Sequence, residues 1–221
     1  GDVATCPIQL VRFMPGELPA QKADRKKRKP DIEVLLHLPA QGPGEGGVLL
    51  LLGSGSRRQR ERVFAFDLQP DGAIASGPRE VAAAPFYAPL HDQFDALNLE
   101  AGYAEGGLVH LFQRANGGHA INGRITYDAG AFSAWVRGRA VQPPQPVGVL
   151  RFSLGSHASV PFGITDAAGW SRSGCVFTAV AEDTADAYRD GACVASVVGG
   201  MDAGGKDRSW RSPFLVGGWG A

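Results

Sequence analysis

Asp31-Ile32-Glu33-Val34-Leu35, Asn98-Leu99-Glu100-Ala101-Gly102 and Thr165-Asp166-Ala167-Ala168 are three versions of one event, an acidic residue at the mouth of a small or apolar run. The acids stand at positions 33, 100 and 166, so the intervals are 67 and 66. Each is followed by the same sequence of features. A strand-like run comes next (48–52, 108–112, 175–180), rich in β-branched or aromatic residues. A polar segment follows: 53–58, 113–118 and 182–186. A third strand then closes on an Asp, at 62–67, 121–128 and 194–202. That Asp, with Asp71-Gly72 or an Ala-Gly pair after it, reads as a hairpin turn into an outer strand.

Strand, turn, strand, loop, strand, turn, strand is the plan of a propeller blade, a four-stranded antiparallel sheet stacked radially on its neighbours. The expected fold is all-β: a single propeller-like domain over 1–221, with blade units starting near 31, 98 and 164 and partial blade material at both ends. A β-sandwich has the same strand content but predicts no such period. Four short strands need about 40 to 50 residues. The excess is placed in the Ser54 to Glu61 loop, the Pro-rich stretch Val141 to Val147 and the acidic loop Glu182 to Gly191. At this period the 221 residues hold about three units, fewer than the 4 to 8 blades of a closed ring. The ring is therefore expected to be incomplete or part of a larger one, and self-association follows as an expectation because an open arc exposes two apolar faces.

Composition agrees with a β-rich globular chain. The 221 residues are 44% hydrophobic, with 31 Gly and 15 Pro, so the backbone turns often and long helices are not expected. Lys plus Arg (22) balance Asp plus Glu (22), so no global field collects nucleic acid or an anionic membrane. The longest apolar run, Val48 to Leu52, has strand length, far below a membrane span. Cys6, Cys175 and Cys193 form no metal-type spacing. Their odd number and the lack of a visible signal peptide predict buried thiols and a cytoplasmic location.

The sequence resembles a bacterial family of uncharacterised β-propellers, more distantly related to the phytase-like and esterase-like propellers. The resemblance rests on Lys29-Pro30-Asp31-Ile32-Glu33, Leu51-Leu52-Gly53-Ser54-Gly55-Ser56, Leu97-Asn98-Leu99-Glu100 and Phe112-Gln113-Arg114-Ala115-Asn116-Gly117. Phe162-Gly163-Ile164-Thr165-Asp166-Ala167-Ala168 and Ala181-Glu182-Asp183-Thr184, with Asp186, Tyr188 and Asp190-Gly191, complete it. It implies a ring of roughly six blades and no established activity. In the phytase-like relatives inward carboxylates bind calcium and phosphate.

Glu33, Glu100 and Asp166 should converge at one end of the inner strands. Gathered carboxylates repel, so a compensating cation is required. Two arrangements supply one. Calcium suits a set of carboxylates, Asn98 and backbone carbonyls with few His or Cys ligands. Arg114, Arg58 or Arg60 could instead neutralise the acids in an ion-pair network. Asp31, Asn98, Arg58, Arg114, Asn116, Glu182 and Asp183 are the candidate ligand-binding residues around this centre, all in repeat-linked segments on the same rim.

Other motifs read as structural. The Glu182 to Gly191 loop resembles a calcium loop in composition but not in spacing. Arg25-Lys26-Lys27-Arg28-Lys29 is read as part of a short solvated helix, Leu18 to Lys29, ended by Pro30. Gly53-Ser54-Gly55-Ser56 matches neither a nucleophile elbow nor a P-loop and reads as a glycine-rich turn. The five histidines show no triad or ligand spacing. Two functional classes remain: a binding module for a small polar ligand or a protein partner at the rim and central channel, and a calcium-assisted hydrolase acting on phosphoesters, lactones or related esters.

Overall fold

The structure is a computed structural model that describes residues 10, 12–14, 16–115, 121–170, 174–183 and 191–202. Most of them lie in three four-stranded antiparallel sheets. The first sheet runs in chain order β1 (Ile32–Leu38), β2 (Val48–Gly53), β3 (Val63–Leu68) and β4 (Ile74–Val81). The second repeats the plan with β5 (Leu99–Glu105), β6 (Leu108–Gln113), β7 (Asn122–Asp128) and β8 (Gly148–Phe152). The third also runs in chain order, with its short strand first: the two-residue β9 (Ser156–His157) pairs with the start of β10 (Val160–Gly169), and β11 (Gly174–Asp183) and β12 (Ala192–Asp202) complete the meander.

Alternation along each strand decides which face is buried. In β1, Val34, Leu36 and Leu38 are buried while Leu35 and His37 are exposed. Val34, Leu36, Leu50, Leu52, Val63 and Ala65 of the first sheet share one apolar cluster with Val109, Leu111, Ile125 and Tyr127 of the second. The opposite face of the second sheet contributes Ala101 and Phe112 to another cluster, with Ile164, Phe177, Ala179 and Val197 of the third. The sheets therefore stack face to face in chain order, and the first long strands adjoin, β1 beside β5 and β5 beside β10.

The intersheet seams also carry hydrogen bonds. Leu99 N donates to Ser54 O at 2.8 Å between the first two sheets. Between the second and third, Asn122 is only 1% exposed. Its Oδ1 accepts from Ala115 N (3.1 Å) and Ile164 N (2.9 Å), and its Nδ2 donates to Phe162 O (2.8 Å). A buried amide with these partners satisfied fixes the relative position of two sheets as apolar contact alone does not.

Three expectations need correcting. Asp128 opens no hairpin into an outer strand; its Oδ1 accepts from Ala131 N at 2.8 Å and caps a helix, α3 (Ala129–Val136). The residues in excess of a minimal blade include that helix and α2 (Ala84–Gln93), as well as the loops singled out from the sequence. Both helices bury aromatic residues: Phe86 stacks on Trp135 at 5.1 Å and meets Tyr127 and Phe132, capping the cluster between the first two sheets. Finally, Cys175 is buried but Cys193 is exposed, and Cys6 lies outside the described residues. The short basic helix is present as α1 (Lys22–Arg28), with no buried residue. No helix among the described residues is long and apolar enough to cross a membrane.

Candidate functional site

Each of the three adjoining strands carries a β-bulge, and the bulges lie at corresponding places. Pairing runs Ile32 to Gly53 and then Val34 to Leu52, so Glu33 is left out of register. It runs Leu99 to Gln113 and Ala101 to Phe112, leaving out Glu100. In β10 it runs Ile164 to Ala179 and Asp166 to Thr178, leaving out Thr165. A bulge adds one unpaired residue and re-aims the side chains around it. The counterpart of Glu33 and Glu100 is therefore Thr165, and Asp166 stands one position further on. Interval counting without the bulge assigned the acid to the wrong register.

All four residues nevertheless line one cavity of about 580 Å³, with Leu35 and His37 of β1, Tyr103 of β5 and Ala168 of β10. Asp166 is exposed there, and its Oδ1 accepts from Ala167 N at 2.8 Å. Glu100 is the most enclosed acid of the three. Burial pushes its carboxyl up to about 7, the Arg114 guanidinium works against this, and the neighbouring Glu33 charge adds to it. Glu33 is also raised, first by burial and then by Asp31. Lys29, Arg60 and Arg114 pull it the other way. Glu33 thus lies in the fields of two polar clusters.

The first cluster is centred on Arg114. One Nη faces Glu100 Oε1 at 3.5 Å and the other meets Glu182 Oε2 at 2.5 Å, so the guanidinium joins β5 to β11. Asn98 Nδ2 donates to the same Glu100 oxygen at 2.5 Å, and Gly191 N donates to Glu182 Oε1 at 2.6 Å. Gly163 makes room for this side chain: a Cβ there would lie 2.9 Å from Arg114 Cγ and 2.6 Å from Ala115 O.

The second cluster is centred on Asp31, which adopts φ +52°. Its Oδ1 meets Lys29 Nζ at 2.6 Å and its Oδ2 meets Arg60 Nη1 at 2.6 Å. Ser54 Oγ donates to Oδ2 at 3.2 Å, and Ser56 Oγ accepts from Arg60 Nη1 at 2.9 Å. Arg60 and Ser54 are buried. The glycine-rich Ser54 to Ser56 turn therefore serves an ion-pair network.

Of the sequence-derived residues, the structure gathers Glu33, Glu100 and Asp166 at the cavity and Asp31, Asn98, Arg114 and Glu182 in the two flanking clusters. Arg58 and Asp183 are exposed, and Asn116 lies outside the described residues. Arg60, two positions beyond Arg58, makes the buried ion pair, and Lys29 and Ser54 complete it. Position alone gave no signal for choosing between the two arginines. Asn122 was also missed, since a single Asn in an apolar run carries no spacing signature.

Chemically, this is a carboxylate-lined cavity flanked by ion-paired cations. Among the described residues no three His, Cys, Asp or Glu side chains stand close enough to hold one metal ion. None of the described Ser or Cys side chains hydrogen-bonds a His; His91 meets Glu61 at 3.2 Å and His110 meets Thr126 at 3.1 Å. No curated protein and no solved structure matches the chain. A family model does match residues 25–215, all three sheets included, and the chain belongs to that family, the family of unknown function DUF6910.

Proposed function

We propose that the chain is a β-propeller-type binding module that takes a small polar ligand in the cavity where β1, β5 and β10 meet. The reading of the three sheets as blades is supported by their common strand plan, their stacking in chain order and the matched bulges in the adjoining strands. The resemblance to phytase-like and esterase-like propellers belongs to this same reading. The observation that carries the function is the cavity itself: Glu33, Glu100 and Asp166, from three different sheets, face one space of ligand size. Concave sites with a few convergent polar groups are the usual form of small-molecule binding sites. The basic residues nearby are committed to carboxylates, so the polar groups free to engage a ligand are chiefly acceptors. A thermal-shift screen of small polar compounds, followed by titration calorimetry on the wild type and on Glu33→Gln and Glu100→Gln, tests it. Binding that both variants weaken supports the reading; hits that ignore both substitutions overturn it.

A second reading, a calcium-assisted hydrolase of phosphoesters, lactones or related esters, is favoured by one observation. A cavity-lining carboxyl held near 7 is matched to proton transfer at neutral pH. Turnover of such esters that requires both calcium and Glu100 would select it, and metal analysis of the purified protein is the first step.

A further inference from the structure

The chain as a whole carries no net charge, but its 22 basic and 22 acidic residues are unevenly spread. Between Arg12 and Lys29 there are seven Lys or Arg and two acids, Glu17 and Asp24, a local net charge of +5 that leaves −5 for the remaining residues. Most of the excess stands on α1, which buries no residue. Lys22, Arg25, Lys27 and Arg28 of this helix are all exposed. The Lys27–Asp24 pair at 3.5 Å is solvated on both sides, and a pair of that kind binds its charges weakly. The core therefore does not dictate the composition of α1.

The segment is nonetheless fixed to the first sheet. Phe13 meets Phe64 edge-on at 5.3 Å, Arg62 Nη1 donates to Met14 Sδ at 3.7 Å, and Lys29 Nζ meets Asp31 Oδ1 at 2.6 Å. Beside α1 lies an open cavity of about 690 Å³ with apolar walls of Leu10, Phe13, Met14, Leu18 and Pro30, and Arg28 of the helix lines it as well. Leu10 is 92% exposed and Leu18 43%. Exposed aliphatic side chains next to solvated cations are the two marks of a segment that lies in a membrane interface, the first suited to the acyl boundary and the second to anionic headgroups.

We propose that this patch docks on an anionic phospholipid bilayer, with α1 against the headgroups and Leu10, Leu18 and the cavity between them at the acyl boundary. The remaining net charge of −5 is repelled by such a surface, so the asymmetry also orients the chain with its basic end towards the membrane. Nucleic acid would engage the same cations, but single strands stack their bases on aromatic side chains, and Phe13, the one aromatic residue from Leu10 to Pro30, is already placed against Phe64. The exposed leucines gain nothing from a phosphate backbone. This inference uses none of the residues of the acidic cavity and goes beyond the binding-module reading.

The test is co-sedimentation of the full chain with vesicles of phosphatidylcholine alone and of phosphatidylcholine mixed with phosphatidylserine. The result expected is binding to the mixed vesicles that weakens as salt is raised, and none to phosphatidylcholine alone. Lys22→Gln, Lys27→Gln and Arg28→Gln combined should weaken binding on the order of 100-fold, roughly fivefold for each cation near the surface. Leu10→Ser combined with Leu18→Ser should weaken it about tenfold. All five side chains are exposed, so both variants should keep the circular dichroism spectrum of the wild type. No binding to the mixed vesicles, equal binding to phosphatidylcholine alone, or a charge variant that binds like the wild type overturns the inference. Binding that ignores the two leucines overturns it as well, since the cations alone would then adsorb. Tighter capture of a single-stranded oligonucleotide than of the mixed vesicles would overturn it in favour of nucleic acid.

Discussion

Glu100 allows a quantitative test of the electrostatics at the cavity. Its side chain is only 13% exposed, and burial lifts its carboxyl from an ordinary 4.5 to about 7. Below about pH 4.5 the folded and unfolded chains both hold the proton. Between 4.5 and 7 the folded chain holds it and the unfolded chain does not, and above 7 neither does. The folded state therefore binds more protons across that window, and stability falls as pH rises through it. At 1.36 kcal/mol per pH unit, the loss from this one group is about 3 kcal/mol, a large fraction of the usual 5–15 kcal/mol. Glu33, raised by burial and by Asp31, acts in the same direction. Glu100→Gln removes the ionisation and keeps an oxygen that can accept from Asn98. The variant should match the wild type near pH 5 and exceed it by about 2 to 3 kcal/mol near pH 8. Urea denaturation of both proteins at pH 5, 6, 7 and 8 measures this. A difference that stays constant with pH would refute the reasoning, since it would mean that Glu100 already ionises at its ordinary value.

Three further outcomes are expected. Arg114→Met leaves Glu182 without its cation at 2.5 Å and should lower the unfolding free energy by about 2 to 3 kcal/mol, at or below the low end for a broken buried pair because the partners are partly exposed; an unchanged denaturation midpoint would assign the pair to the solvated surface class. Asn122→Ala strands Ala115 N and Ile164 N together with Phe162 O and should cost about 2 to 4 kcal/mol, with hydrogen exchange rising first at those two amides. Gly163→Ala drives a Cβ to 2.6 Å from Ala115 O and should destabilise by about 1 to 3 kcal/mol; a neutral thermal shift would mean that β10 has room to move away from Arg114.

The strand plan could be read from the sequence because its signal is local. Runs such as Val48 to Leu52 and Leu108 to Phe112 are apolar and β-branched or aromatic over strand length, and they recur at a fixed spacing. Helices α2 and α3 are less legible, because the repeat masks their local pattern. Asp128 followed by Ala129, Phe132, Trp135 and Val136 is a capping residue and then a helical apolar spacing, but Asp67 at the equivalent place continues into a hairpin. Helix α2 offered less, since Pro85 and Pro89 lie within Ala84–Gln93, and Pro inside a segment argues against a helix unless tertiary contacts hold it. Here those contacts are Phe86, Tyr87 and Leu90, all buried under the first two sheets, which no local reading foresees.

The site was legible as a neighbourhood and illegible in its pairings, and the bulge explains both. Before the bulge in β5, Leu99 packs into the cluster with the first sheet; after it, Ala101 packs into the cluster with the third. Two neighbours in a regular β-strand would face opposite ways, but these residues are two apart, so the extra residue between them resets the alternation. Glu100 belongs to neither apolar cluster, and a carboxylate is tolerated there where either core would reject it. Glu33 occupies the same place in β1 and Thr165 in β10, so the position admits polar groups by construction and does not require acids. Repetition could thus locate the rim of each sheet, while the cations had to come from elsewhere: Arg114, facing Glu100, from just after β6, and Arg60, paired with Asp31 beside Glu33, from the turn after β2. Those distances are fixed by strand register and loop path, and a slip of one residue, as between Thr165 and Asp166, is enough to change which side chain occupies the bulge.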